Sequence, residues 1–253
     1  MTTHDDAQQE LALLFPNTTN PLPQTDPEFW AFYSDFAFGE TLANSSLDRG
    51  DRLVYQLAAT IAVGAKIEFR TLLGAALEVG VTPVQVKEIT YQAVAYVGVA
   101  RAIEFVLLTN EVFSERGIAL PLESQSTTNP DTRLELGLAK QKEIVGSDAV
   151  DGMYAGAPAD ALRFQQFLSA NCFGDYITRD GFDVQQRERI TFVLITALGG
   201  ADAQVKGHVA ANLTVGNTRE NLLDILTVIL AYIGYPRTLN ALAQVNAGAP
   251  ASA

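Results

Sequence analysis

The chain repeats itself. Setting residues 54–105 against residues 190–241 at a constant offset of 136, with no gap, pairs Thr60 with Thr196, Gly64 with Gly200 and Ala65 with Ala201. The same register pairs Leu77 with Leu213, Val79 with Val215, Gly80 with Gly216, Thr82 with Thr218, Ile89 with Ile225, Tyr96 with Tyr232, Gly98 with Gly234 and Arg101 with Arg237. Upstream the match continues at an offset of 135, through Phe29/Phe164, Phe32/Phe167, Ser34/Ser169, Phe38/Phe173 and Gly39/Gly174. Two unrelated amphipathic stretches would share leucine and alanine. They would not share Val-Gly-x-Thr, Tyr-x-Gly and a following arginine in one register. The period is too long for a solenoid unit, so the pattern reads as a duplicated domain.

The repeated unit reads as all-helical. Val86, Ile89, Ala93 and Val97 are spaced three, four and four apart, as are Leu222, Ile225, Ile229 and Ile233, which puts one apolar stripe on one helix face. Thr82-Pro83-Val84-Gln85 is a capping box with proline at the first helical position, and Thr218-Arg219-Glu220 is a weaker start signal. Asp26-Pro27-Glu28 and Asn129-Pro130-Asp131 read as further starts. Gly80 and Gly216 each end an apolar helix just before a threonine cap, where a left-handed residue closes one helix before the next opens. Gly98 and Gly234 are expected to allow close helix approach or a kink. The run Ile190 to Gly200 could be a buried strand taken alone; its length and its repeat partner favour a helix. The domains expected are an N-terminal arm over 1–25, a first copy over 26–120, a linker over 121–130 and a second copy over 131–253, with a frayed tail.

Composition excludes several classes. A net charge of −12 repels a phosphate backbone and argues against nucleic-acid binding. It leaves room for small anions, which need only a local basic cluster. The single cysteine, Cys172, forms neither an internal disulfide nor a Cys-x-x-Cys pair. No signal peptide is visible at the start, and the longest apolar runs are too short to span a bilayer, so a cytoplasmic protein without membrane partners is expected. Only 18% of residues are charged, so much of the surface is neutral or covered by other subunits.

The second copy carries an ordered set of residues: Arg187-Glu188-Arg189, then Gln204-Val-Lys206-Gly-His208-Val-Ala-Ala-Asn212, Gly216-Asn-Thr218 and Tyr232-Ile-Gly234-Tyr-Pro236-Arg237. With Cys172-Phe-Gly174-Asp175 and the lead-in from Arg133 to Gly146, this set resembles the carboxymuconolactone decarboxylase family. The resemblance implies a duplicated all-α domain of the alkyl hydroperoxidase-like fold. Small members of the family assemble as trimers or hexamers, so three two-domain chains are expected to close a pseudo-hexamer, a homo-oligomer.

Two chemistries are known in that family. The thiol peroxidase branch needs a Cys-x-x-Cys pair ahead of the histidine. Laid on His208, those positions hold Ala201 and Gln204, and in the first copy Ala65 and Glu68, with Leu72 in place of the histidine. Cys172 lies far off in sequence on another helix. Without a thiolate pair that branch is rejected. The decarboxylase branch needs neither metal nor organic cofactor. It implies a small carboxylated lactone or related acid as substrate, with His208 as general acid/base and Glu188 beside it in the catalytic set, orienting the histidine or a basic residue. Gln204, one turn before His208, and the basic residues Arg187, Arg189, Lys206 and Arg237 are the expected substrate contacts.

Structural readings compete with these roles. His208 could be a core histidine, and Glu188 could serve only the helix dipole. The twins Arg101/Arg237 and Tyr96/Tyr232 suit structural duties. Asn212 could line a pocket or cap a buried network. The first copy could lend a wall to the site through Glu68, Arg70 or Glu104. The alternative function is a non-catalytic ligand-binding or scaffold protein on the same fold. A pocket holding His208 and at least two basic groups favours the enzyme; a closed, wholly apolar surrounding favours the scaffold.

Overall fold

In the computed structural model, which describes residues 3–16 and 20–251, every regular element is helical. The first half runs α1 (Thr3–Leu14), α2 (Leu22–Thr25), α3 (Pro27–Asp35), a π-helical stretch Phe36–Glu40, α4 (Thr41–Ala43), α5 (Arg49–Val63), α6 (Lys66–Glu78), α7 (Pro83–Val97) and α8 (Val99–Glu115). The second runs α9 (Arg133–Val145), α10 (Ser147–Ala155), α11 (Leu162–Phe167), a π-helical stretch Leu168–Ile177, α12 (Val184–Leu198), α13 (Asp202–Thr214), α14 (Arg219–Ile233) and α15 (Tyr235–Gly248). Helices α6 and α13, and α7 and α14, start and stop at the same repeat positions, so the duplication is structural as well as sequential.

The punctuation works largely as read. Thr82 and Gln85 form a capping box, and Thr218 forms one with Asn221. Gly80 and Gly216 take φ of 95° and 93° at the corners after α6 and α13. Gly98 and Gly234 act differently from the expected close approach or kink. They break one helix into two, with φ 78° and ψ 154° and 164°, a region open only to glycine.

The halves face each other about a pseudo-twofold relation. Helix α5 packs on α12 at the centre; α5 also meets α14, as α12 meets α7, and α7 touches the second π-helical stretch as α14 touches the first. The main apolar core runs through both halves, from Leu57, Ile61 and Phe105 to Phe192, Ile225 and Ile229, and a smaller cluster holds Ile144, Cys172, Phe173 and Ile177. No helix among the described residues is long and apolar enough to cross a membrane.

The N-terminal region is not an arm. Ala7 and Leu14 of α1 are buried, and Glu10 pairs with Arg49 and Arg52 of α5. Helix α1 lies on the first π-helical stretch as α9 lies on the second, so it belongs to the repeat unit. Of that region, residues 1, 2 and 17–19 lie outside the described residues, as do 252 and 253 of the tail; Ala249 is buried, and Arg219 donates to its carbonyl.

Helix α9 rides very close to its π-helical partner. A β-carbon at Gly137 would overlap the Ser169 carbonyl oxygen and fall 2.7 Å from the Gly174 nitrogen, and one at Gly174 would overlap the Arg133 carbonyl. Because these neighbours are backbone, they cannot move aside as a side chain does. Gly137→Ala should therefore cost about 3 kcal/mol in urea denaturation, the upper end for overpacking. A loss within about 0.5 kcal/mol, as at an unconstrained surface site, would refute this tight seating.

Candidate active site

The second turn of α12 and the middle of α13 bring Glu188 and His208 together. His208 Nδ1 lies 2.8 Å from Glu188 Oε2. An ionised carboxylate only accepts, so Nδ1 carries the proton and Nε2 is left without a partner among the described residues. The Glu188 side chain is 1% exposed and that of His208 20%, so the pair is rooted in the core and reaches solvent only through the ring. Burial is the largest single influence on the imidazole and disfavours its charge. The charge of Glu188 and its hydrogen bond together outweigh burial, and the His208 pKa is raised above its ordinary value. Glu188 Oε1 is buried without a partner.

Asn212 fixes the two helices. Its Nδ2 donates to the Glu188 carbonyl at 3.2 Å and the His208 carbonyl at 2.7 Å, and its Oδ1 accepts from Asn217 at 2.8 Å. It caps a buried network, one of the two roles expected of it.

The first half supplies a neighbour of His208, though not one of the residues expected. Tyr96, in the last turn of α7, sets its ring edge-to-face with His208, centroids 6.4 Å apart. Its hydroxyl bonds Thr191 of α12 at 2.8 Å, and Gln92 one turn earlier donates to the same Thr191 hydroxyl at 3.0 Å. Glu68 instead accepts from Tyr33 at 2.6 Å, Arg70 pairs with Glu115, and Glu104 pairs with Lys66. Cys172 also approaches, its sulfur 4.0 Å from the Tyr96 hydroxyl. Burial pushes its thiol up to about 12, which leaves it protonated at neutral pH.

The basic residues do not converge on His208. Arg187 is 1% exposed and spends its guanidinium on Glu88, Gln92 and the carbonyls of Arg179 and Asp180. It has no freedom to hold a substrate. Arg189 points across to Asp51 of α5 at 3.8 Å. Lys206 is exposed but precedes His208 by two residues, which sets it on the far side of α13. Arg237 packs over Gly199 at the C-terminal end of α12, roughly 16 Å along the helix from Glu188. Its twin Arg101 donates to the Ala62 carbonyl at the end of α5, while Arg237 lines a small cavity with Thr196, Asp202 and Asn240. Gln204 is exposed and shares the His208 face.

The equivalent place in the first copy holds no acid–base pair. Leu72, buried, replaces the imidazole, and Arg52, bound to Glu10, replaces the glutamate. One turn earlier, Glu68 and Tyr33 line a cavity of about 580 Å³ with Trp30 and Phe38.

A tandem all-α protein with one buried carboxylate–imidazole pair is the class these features define. The carboxymuconolactone decarboxylase family model matches twice, over residues 27–111 and 163–247, and the chain belongs to that family. It is 33% identical over 92 residues to 4-carboxymuconolactone decarboxylase of Acinetobacter baylyi, covering 36% of this chain and 69% of that protein. Among solved structures it resembles a protein assigned as a gamma-carboxymuconolactone decarboxylase subunit of Burkholderia xenovorans, with a TM-score of 0.52, 20% identity and 96% of each chain covered. That likeness speaks to the fold.

Proposed function

We propose that the chain is a cofactor-independent carboxy-lyase acting on a small carboxylated lactone or related acid, with His208 as the general acid/base. The observation that carries this reading is the Glu188–His208 pair, an acid–base pair that the equivalent place in the first copy lacks. Loss of carbon dioxide breaks a carbon–carbon bond and leaves its electron pair on the substrate, where a proton must be delivered. An imidazolium held by Glu188 supplies that proton from Nε2. It also supplies positive charge beside the substrate carboxylate, a duty the arginines do not share. Gln204, on the same face, is the neighbouring substrate contact, and Tyr96 holds the ring edge-on.

Among the described residues two basic groups do not accompany His208, so the reading rests on the acid–base pair itself, with Glu188 bonded to the ring and Tyr96 packed edge-to-face against it. Assembly into larger rings belongs to the same proposal. Phe29 and Phe32 and their twins Phe164 and Phe167 are exposed in both halves, as are Val99 and Ile103 and their counterparts Tyr235 and Leu239. Such matched apolar faces suit contacts with further copies, and light scattering gives the copy number.

The test is carbon dioxide release from 4-carboxymuconolactone, followed against pH for the native chain and Glu188→Gln. A general acid must be protonated, so the rate should fall as pH rises through the raised His208 pKa. Glu188→Gln removes the charge that raises it and leaves the burial that lowers it, so the falling limb moves to lower pH. The same linkage makes the pair stabilising below the ordinary histidine pKa, with that stability lost as pH rises through the raised value. No release of carbon dioxide from this or related lactones, or a limb unmoved in Glu188→Gln, would count against the assignment.

A further inference from the structure

Lys87 is a buried cation with no counter-charge. It lies on α7 at 6% exposure, and no carboxylate among the described residues comes within ion-pair distance of its Nζ. Among the described residues its only hydrogen bond goes to Asn110 Oδ1 of α8. Three ammonium protons thus have one protein acceptor. Nζ lies 5.8 Å from the ring centres of both Tyr91 and Phe113, and the Arg179 guanidinium lies 5.2 Å from the same Tyr91 ring.

Lys87, Tyr91, Asn110 and Arg179 line a cavity of about 590 Å³, bordered by Leu122 and Ser124 of the segment that joins the halves. This is the size of a small-molecule site. Lys87 and Arg179 line it together, and Arg187 stands behind. The one buried carboxylate there, Glu88, is already shared by both arginines. Glu123, the other acid on the wall, is exposed. A buried cluster with cations in excess is costly unless an anion joins it. In a chain of net charge −12 this excess is local and specific. The repeat partner of Lys87 is Leu223, so the feature belongs to the copy that lacks the histidine. It is also apart from the His208 site: Lys87 lies roughly 13 Å along α7 from Tyr96.

We infer that this cavity is a second ligand site, taking a small organic carboxylate whose charge sits on the Lys87 ammonium and whose apolar body lies against Tyr91, Val106 and Leu122. Burial lowers the Lys87 pKa, as expected of an amine that lacks its counter-ion, and a bound carboxylate would reverse the shift. The site is independent of any reaction at His208.

The experiment titrates the full chain with succinate, benzoate and inorganic phosphate by calorimetry and thermal shift, each against sodium chloride of matched ionic strength. A saturable rise in Tm with succinate or benzoate, absent with chloride, is expected. Lys87→Met should weaken that binding at least tenfold, in the native chain and in His208→Asn alike. Asn110→Asp supplies an internal counter-charge, so it should raise the Tm of the free protein and abolish the response even if Lys87→Met fails to fold. No response to either carboxylate beyond matched chloride, a response confined to phosphate, or binding lost in His208→Asn and kept in Asn110→Asp would each overturn the inference.

Discussion

Replacing His208 with asparagine is expected to lower kcat by about 10²–10⁴-fold, the range for a lost general acid, and to raise KM as the charge beside the substrate carboxylate is lost. Asparagine is chosen because its Nδ2 falls close to where Nδ1 stood and can still donate to Glu188. The 1% exposed carboxylate then keeps a partner, while the titratable Nε2 disappears. Alanine would also remove activity, but it strands Glu188 in the core, where breaking a buried pair costs about 3–5 kcal/mol. Alanine should therefore lose both rate and Tm, and asparagine mainly rate. Combining Glu188→Gln with His208→Asn should recover the native Tm without recovering turnover. Steady-state kinetics beside thermal denaturation separates these effects. An asparagine variant retaining more than about a tenth of native kcat would remove His208 from proton transfer.

The sequence made the duplication, the helix starts at Thr82 and Thr218 and the glycine corners legible, because local rules govern them. Capping chemistry and left-handed glycines depend on neighbours within a turn. Helix α1 escaped because prolines follow it and its polar face dominates. Its apolar residues Ala7, Leu11 and Leu14 nonetheless keep the i, i+4, i+7 spacing that marks a buried stripe. The Glu188–His208 pair was reachable through family resemblance, while the roles of the arginines were not. The side-chain partners of Arg187 lie on α7, near a hundred residues earlier in the chain, and charge alone cannot reveal whether a guanidinium faces a ligand or a buried glutamate. Tyr96 was missed as a neighbour of the site because its twin made it look like core. A signal existed: Glu88, Gln92 and Tyr96 recur every four residues, a polar stripe along one helix face, and such a stripe requires polar partners when it is buried.

Glu88→Gln is expected to be the most destabilising polar substitution at the junction of the halves, costing about 3–5 kcal/mol. Glu88 is 1% exposed and accepts from Arg179 at 2.9–3.0 Å and from Arg187 at 2.9 Å. Glutamine keeps the shape and one acceptor oxygen, but both guanidiniums lose their counter-charge, and that of Arg187 has no route to water. For a chain of this size the loss corresponds to a fall in Tm of about 10 °C. Since Glu88 and Arg187 belong to different halves, the coupling should appear in a double-mutant cycle with Arg187→Met, as an interaction of about 1–3 kcal/mol. Removing both charges should then cost less than the two single losses added together. Arg187 also precedes Glu188 directly, so a displaced guanidinium disturbs the turn of α12 that carries the carboxylate, and turnover should fall along with stability. A Tm within a degree or two of the native value, with no coupling in the cycle, would mean that apolar packing alone holds α7 against α12 and that the buried ion cluster has no part in joining the two copies.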